Sequence, residues 1–167
     1  DDNGETWSIS ESIKPGCNES QLVEIEDGNL LINMRSYNDK NSRAIAVSND
    51  GGSSWSKIKH DLSLVESRCQ ASIINYGPYN GNNIHLFSNP SVPIGRSNMT
   101  IKVSYDNCKT WTNSVLIYPG PAAYSCLSRL ANGNIGILYE RGIKHPYEEL
   151  VFLSISPNLT LSKNNLY

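Results

Sequence analysis

Hydrophobic and polar positions alternate in short runs along this chain, and nowhere do they recur at the three-and-four spacing of an amphipathic helix. The pattern predicts an all-β protein. Its clearest instance is residues 124–140, YSCLSRLANGNIGILYE. An apolar-rich strand leads to Asn132-Gly133, a turn pair suited to two positive φ angles, and a second strand follows through Ile135, Ile137 and Tyr139. The start of the first strand and the end of the second lie side by side in an antiparallel hairpin, so Tyr124 and Glu140 are expected at one sheet edge. Further strands are predicted at 43–47, 71–76, 83–87, 99–103, 115–118 and 150–155, separated by turn-forming segments such as Gly77-Pro78-Tyr79-Asn80-Gly81.

The hairpin occurs twice. Subtracting 105 from each number gives residues 19–35, ESQLVEIEDGNLLINMR, in which Leu22, Ile25, Leu30 and Ile32 match Leu127, Leu130, Ile135 and Ile137. Asp27-Gly28 takes the place of Asn132-Gly133, and the register holds without a gap. Glu19 falls on Tyr124, and Arg35 on Glu140. A scaffold that repeats while its corner residues differ points to a composite site built from several copies.

A second motif also repeats. Asp2-Asn3-Gly4-Glu5-Thr6-Trp7 has the form D-x-G-x-T-W, and residues 48–55 give a full S-x-D-x-G-x-S-W box. Residues 104–111 give a third, with Cys108 where Gly is expected. The tryptophans lie 48 and 56 residues apart, a spacing that fits one four-stranded propeller blade with its loops. Each box reads as a turn in which Asp accepts backbone N–H groups, Gly supplies positive φ and Trp packs over the apolar side of the blade. One or two carboxylates per box are too few for calcium.

Composition adds mainly exclusions. A net charge of -2 over 167 residues gives no reason to expect nucleic acid as partner, and no apolar run is long enough to span a bilayer. The four cysteines form no CxxC pair and no zinc-like cluster with histidine, so neither a metal nor another cofactor is expected. Sequons at Asn18, Asn98 and Asn158 suit a secreted or lysosomal protein. The first residues, DDNGETWS, resemble no targeting peptide and begin inside a turn motif, as expected where sequence upstream is missing.

If the first strand of each blade starts at one mouth, the second ends there and the third begins there, while the boxes lie at the opposite end. That mouth gathers Glu19 and Arg35 from the first unit, Arg68 and Arg96 from the second, and Tyr124, Glu140 and Arg141 from the third. Arg43, Arg68, Arg129 and Arg141 read as solvated surface charges or ordinary rim salt bridges, and His60, His85 and His145 show no catalytic arrangement.

These residues resemble the sialidase (neuraminidase) family. The boxes look like its Asp boxes. Glu19 with Arg35 sixteen residues on looks like the family's glutamate and second triad arginine, and Arg96, in FSNPSVPIGRSNMT, like the third. Tyr124 in AYS is similar to the nucleophilic tyrosine, and Glu140 in LYE to the glutamate that steadies the first triad arginine. The resemblance implies a six-bladed β-propeller, of which 1–167 would be the C-terminal half, about three blades. It implies an exo-α-sialidase that removes terminal sialic acids from glycoproteins, glycolipids or oligosaccharides with retention. The first triad arginine and the acid/base aspartate of the family have no counterpart in the chain, so the piece alone is expected to be inactive. An inactive propeller fragment or a sialic-acid-binding module is the alternative.

The residue types suit that chemistry. Arginine forks bind a carboxylate at any working pH. A nucleophile approaching beside that anion does better as a neutral tyrosine, deprotonated by a glutamate only as it reacts, than as a second carboxylate. Sialidases are the known tyrosine exception among glycosidases.

Overall fold

A computed structural model of the protein describes residues 2–161. Its strands are antiparallel to their neighbours throughout. The first blade is a four-stranded sheet in sequence order, with β1 at Cys17–Glu24, β2 at Leu30–Ser36, β3 at Ser42–Ser48 and β4 at Lys59–Val65. β5 (Ser72–Tyr79), β6 (Asn82–Pro90) and β7 (Ser97–Ser104) begin the second. β8, Asn113–Arg129, is one unbroken strand that serves two blades. Its first half pairs with β7, and its second half pairs with β9 (Ile135–Arg141), which in turn pairs with β10 (Glu149–Ile155). A single helical turn, α1 (Pro157–Leu161), follows.

The repeated hairpin has one register in both copies. Leu22 faces Ile32, and 105 residues later Leu127 faces Ile137. Both copies also break register at the same place: pairing skips between Asn18 and Ser20, and between Ala122 and Ser125. Glu19 and Tyr124 therefore sit at matching bulges, where an unpaired residue frees the backbone to re-aim its side chain. The tips differ. Asp27 and Gly28 both take positive φ, at 58° and 71°, whereas in the second copy only Gly133 does, at 81°. There Gly133 N–H donates to Leu130 O and Asn132 Oδ1 accepts the Asn134 N–H, a bulged turn that leaves Asn132 at negative φ.

Apolar side chains face the neighbouring blade. Val23, Leu31 and Leu64 pack on Ala71, Ile73 and Phe87, and Ile84, Leu86, Met99 and Ile101 pack on Leu127, Ile135, Ile137 and Tyr139. Each fully buried aliphatic chain contributes roughly 1.5–3 kcal/mol, so much of each blade's apolar burial depends on its neighbour. The far face of the third blade carries exposed Leu138, Leu150 and Phe152.

The boxes form the expected turns. Asp50 accepts the Ser48 hydroxyl at 2.7 Å, the Ser54 N–H at 3.0 Å and the Ser54 hydroxyl at 2.6 Å, and Asp106 repeats the set with Ser104 and Thr110. Cys108 adopts φ 62°, the position that Gly52 fills in the second box. The third box meets the tip of the β1–β2 hairpin through Lys109 and Glu26 at 2.6 Å, which places it at the end of the blades away from Glu19. The tryptophans do not all behave alike. Trp55 and Trp111 pack into the core, Trp111 with its ring 5.8 Å from Phe87 and its indole N–H on Asp61, whereas Trp7 is 89% exposed. Trp7 closes only on its own turn, donating to Gly4 O, because no described sheet face lies beside it.

Two outcomes follow for the boxes. Trp111→Ala should cost about 2–4 kcal/mol in a denaturant titration, less than a fully buried tryptophan because part of the residue stays in solvent. The hydrogen bonds from Ser54, with that of Ser48 behind them, pull the Asp50 pKa down to about 2. Its contribution is therefore whole above the ordinary value of 3.8 and fades as the pH falls through about 2, which a carbon-detected NMR titration would read.

Candidate active site

The two bulges meet across the mouth. Tyr124 Oη donates to Glu19 Oε1 at 2.6 Å although 105 residues separate them, and Arg35 holds the other oxygen, Oε2, at 2.7 Å. Glu19 is thus fixed at both oxygens. Glu140 accepts the backbone N–H of Tyr124 at 3.0 Å. Gln70 pins the next residue from both sides, donating to Ser125 O at 2.9 Å and accepting the Ser125 N–H at 3.0 Å. The Arg96 guanidinium lies over the Tyr124 ring, 5.5 Å from its centroid, with one terminal nitrogen on Arg68 O. The structure thus brings Glu19, Arg35, Arg96, Tyr124 and Glu140 to one opening, from three blades.

The electrostatics keep the shared proton on the phenol at rest. Burial pushes the Glu19 carboxyl up, but the hydrogen bonds from Tyr124 and Arg35, with the charges of Arg35 and Arg96, outweigh it and hold the group below its usual 4.5. Tyr124 moves the other way, raised above 10 by its bond to Glu19, by burial and by that carboxylate's charge. For Glu19 the sign is that of a depressed carboxylate. The contact is intact above 4.5 and is lost as the pH falls through the lower folded value. Glu19→Gln should bring the Tyr124 pKa down, because the neutral amide removes the anion and leaves the two arginine charges, an outcome visible by NMR of ring-labelled tyrosine.

Of the four remaining arginines, Arg68, Arg129 and Arg141 are surface charges as expected, and Arg43 is not. Arg68 sits on the rim at φ 56°, paired with Asp39 and stacked on Tyr37, and Arg141 pairs with Glu149 at 2.7 Å. Arg129 donates to Tyr76 O and stacks on that ring. Arg43 is not solvated at all. It is wholly buried and bonds Glu66 at 2.5 Å, Asn33 Oδ1 at 2.6 Å and Cys69 O at 2.8 Å. The available signal was parity: Arg43 shares its strand face with Ile45 and Val47. Sequence reasoning also passed over Gln70 and Tyr147, whose positions on loops carry no periodicity.

The BNR repeat-like domain matches residues 1–137. The chain belongs to that family. Several of its curated relatives are sialidases. That of Micromonospora viridifaciens is 37% identical over 147 residues, covering 85% of this chain and 23% of the relative. That of Bacteroides fragilis is 38% identical over 153 residues, covering 86% and 28%. The chain therefore spans about a quarter of the length of these relatives. Among solved structures, the Hadza microbial sialidase Hz136 superposes with a TM-score of 0.83 at 34% identity, over 95% of this chain and 31% of that one. The intramolecular trans-sialidase of Ruminococcus gnavus gives 0.84 at 26% identity, over 97% and 38%. The all-β blades described above are those of sialidase-like propellers.

Proposed function

We propose that residues 1–167 form the C-terminal half of a sialidase-like catalytic propeller, and that the whole protein is an exo-α-sialidase acting on sialylated glycoproteins, glycolipids or oligosaccharides. The Tyr124–Glu19 contact at 2.6 Å carries the reading, because no feature of strand packing requires residues of two non-adjacent hairpins to meet this way. Arg35 and Arg96 bind the sugar carboxylate. Glu19 accepts the phenolic proton as Tyr124 Oη bonds to the anomeric carbon and the glycosidic bond breaks, and water then releases the sugar from Tyr124 with net retention. Glu140 holds the Tyr124 backbone and, as the resemblance implies, steadies the first arginine of the triad.

That arginine and the acid that protonates the leaving oxygen have no counterpart among these residues, so the 167-residue chain alone should release nothing from a fluorogenic sialoside. The exposed Leu138, Leu150 and Phe152 support the half-propeller reading, being the surface that a further blade would cover. The sequons favour a secreted or lysosomal setting, and no helix among the described residues is long and apolar enough to cross a membrane. The reading is tested by trapping. A fluorinated sialic acid added to the full-length protein should label Tyr124 by mass spectrometry, and label on any other residue would overturn the assignment.

A further inference from the structure

We infer that Tyr147 is a positioning residue for Arg96 and a fourth donor to the substrate carboxylate, an inference that rests on the function proposed above. Arg96 does not stand alone over Tyr124. Its Nη1 donates to the Tyr147 hydroxyl, and its guanidinium lies 5.8 Å from the centroid of the Tyr147 ring and 5.5 Å from that of Tyr124. Two tyrosines thus flank one guanidinium. A hydroxyl that accepts from an N–H must turn its own proton elsewhere, so the Tyr147 O–H points away from Arg96, free to meet an anion on the same fork. A planar cation held by a phenol oxygen on one side and a ring face on the other loses less freedom on binding a carboxylate than a solvated one.

The loop that carries Tyr147 is built to hold it. Glu148 accepts the N–H groups of Ile143, Lys144 and His145 at 2.9, 3.0 and 2.8 Å, closing the turn with one side chain. Tyr118 donates to Gly142 O at 2.7 Å, and Gly142 N–H donates to Pro121 O at 3.0 Å, which ties the loop to β8. A Cβ at Gly142 would come within 1.9 Å of His145 O, so only glycine permits this path. The His145 ring then packs edge-on against Tyr147 at 4.6 Å. Tyr147 itself stays half exposed at the mouth, so neither burial nor the core accounts for this bracing.

The test is steady-state kinetics on the full-length protein with a fluorogenic sialoside, comparing Tyr147→Phe, Arg96→Lys and the double variant. Tyr147→Phe keeps the ring and removes the hydroxyl, so KM should rise about tenfold or more, the usual scale for a lost hydrogen bond to a charged group. At the same time kcat should stay within about threefold, since the contact serves ground and transition states alike. The double variant should be little worse than Arg96→Lys alone. An unchanged KM in Tyr147→Phe beside an impaired Arg96→Lys would overturn this inference and leave the proposed function standing, whereas an unimpaired Arg96→Lys would overturn both. A check without variants is NMR of ring-labelled tyrosine during titration with free sialic acid. The Tyr147 Cζ signal should shift, and its failure to move while the Arg96 guanidinium signals do would also overturn the inference.

Discussion

Tyr124→Phe in the full-length protein is expected to slow sialoside turnover by several orders of magnitude while leaving KM and melting behaviour close to those of the parent. The substitution removes one oxygen and keeps the ring on which Arg96 stacks, so carboxylate binding by Arg35 and Arg96 persists. What goes is the nucleophile, together with the proton that Glu19 is placed to accept. The opposed shifts of the pair sharpen the expectation. With the phenol raised and the carboxyl lowered, phenolate is scarce at rest, and the proton must move as the carbon–oxygen bond forms. Glu19→Gln should therefore lose turnover without losing affinity, in the same direction as Tyr124→Phe. The two losses should not add, because the residues act as one unit. A Tyr124→Phe enzyme within tenfold of the parent would show that another group attacks.

Much of this geometry was legible from alternation and repetition. A seventeen-residue register shared by two hairpins predicts that Glu19 and Tyr124 occupy equivalent corners, and the bulges at Asn18–Ser20 and Ala122–Ser125 are the physical form of that equivalence. Elements whose cause is not local were harder to read. β4, Lys59–Val65, escaped because it is a sheet edge with exposed Lys59 and Leu62, so its sequence carries only a weak strand alternation. β8 reads as two strands because Pro119-Gly120-Pro121 interrupts the pattern, yet the chain stays extended through it and crosses from one blade to the next. The Asn132-Gly133 tip was misjudged for a smaller reason: the pair permits two positive φ angles, but the Asn132 side chain secures the turn with one. Tyr147 left no sequence signal, since Arg96, the group it holds, lies 51 residues away.

Arg43→Met should cost about 3–5 kcal/mol in folding, more than any single box substitution, because it strands a buried carboxylate. Glu66 is 1% exposed and Arg43 0%, and they meet at 2.5 Å beneath the mouth. Burial raises the Glu66 pKa and the Arg43 charge opposes that rise. Without the guanidinium the carboxyl climbs further and takes up a proton. Arg43→Met with Glu66→Leu removes both charges and should recover part of the loss, as buried pairs replaced by apolar groups often do. The recovery should stop short of activity. Glu66 Oε1 also accepts the Ser36 N–H at 2.7 Å, one residue beyond Arg35, so it fixes the end of β2 from which Arg35 reaches Glu19. The double variant should therefore melt nearer the parent yet bind sialosides more weakly, with the defect in KM. If stability and KM recover together, the buried pair holds only the fold, and the placement of Arg35 must come from the strand pairing of β1 and β2 alone.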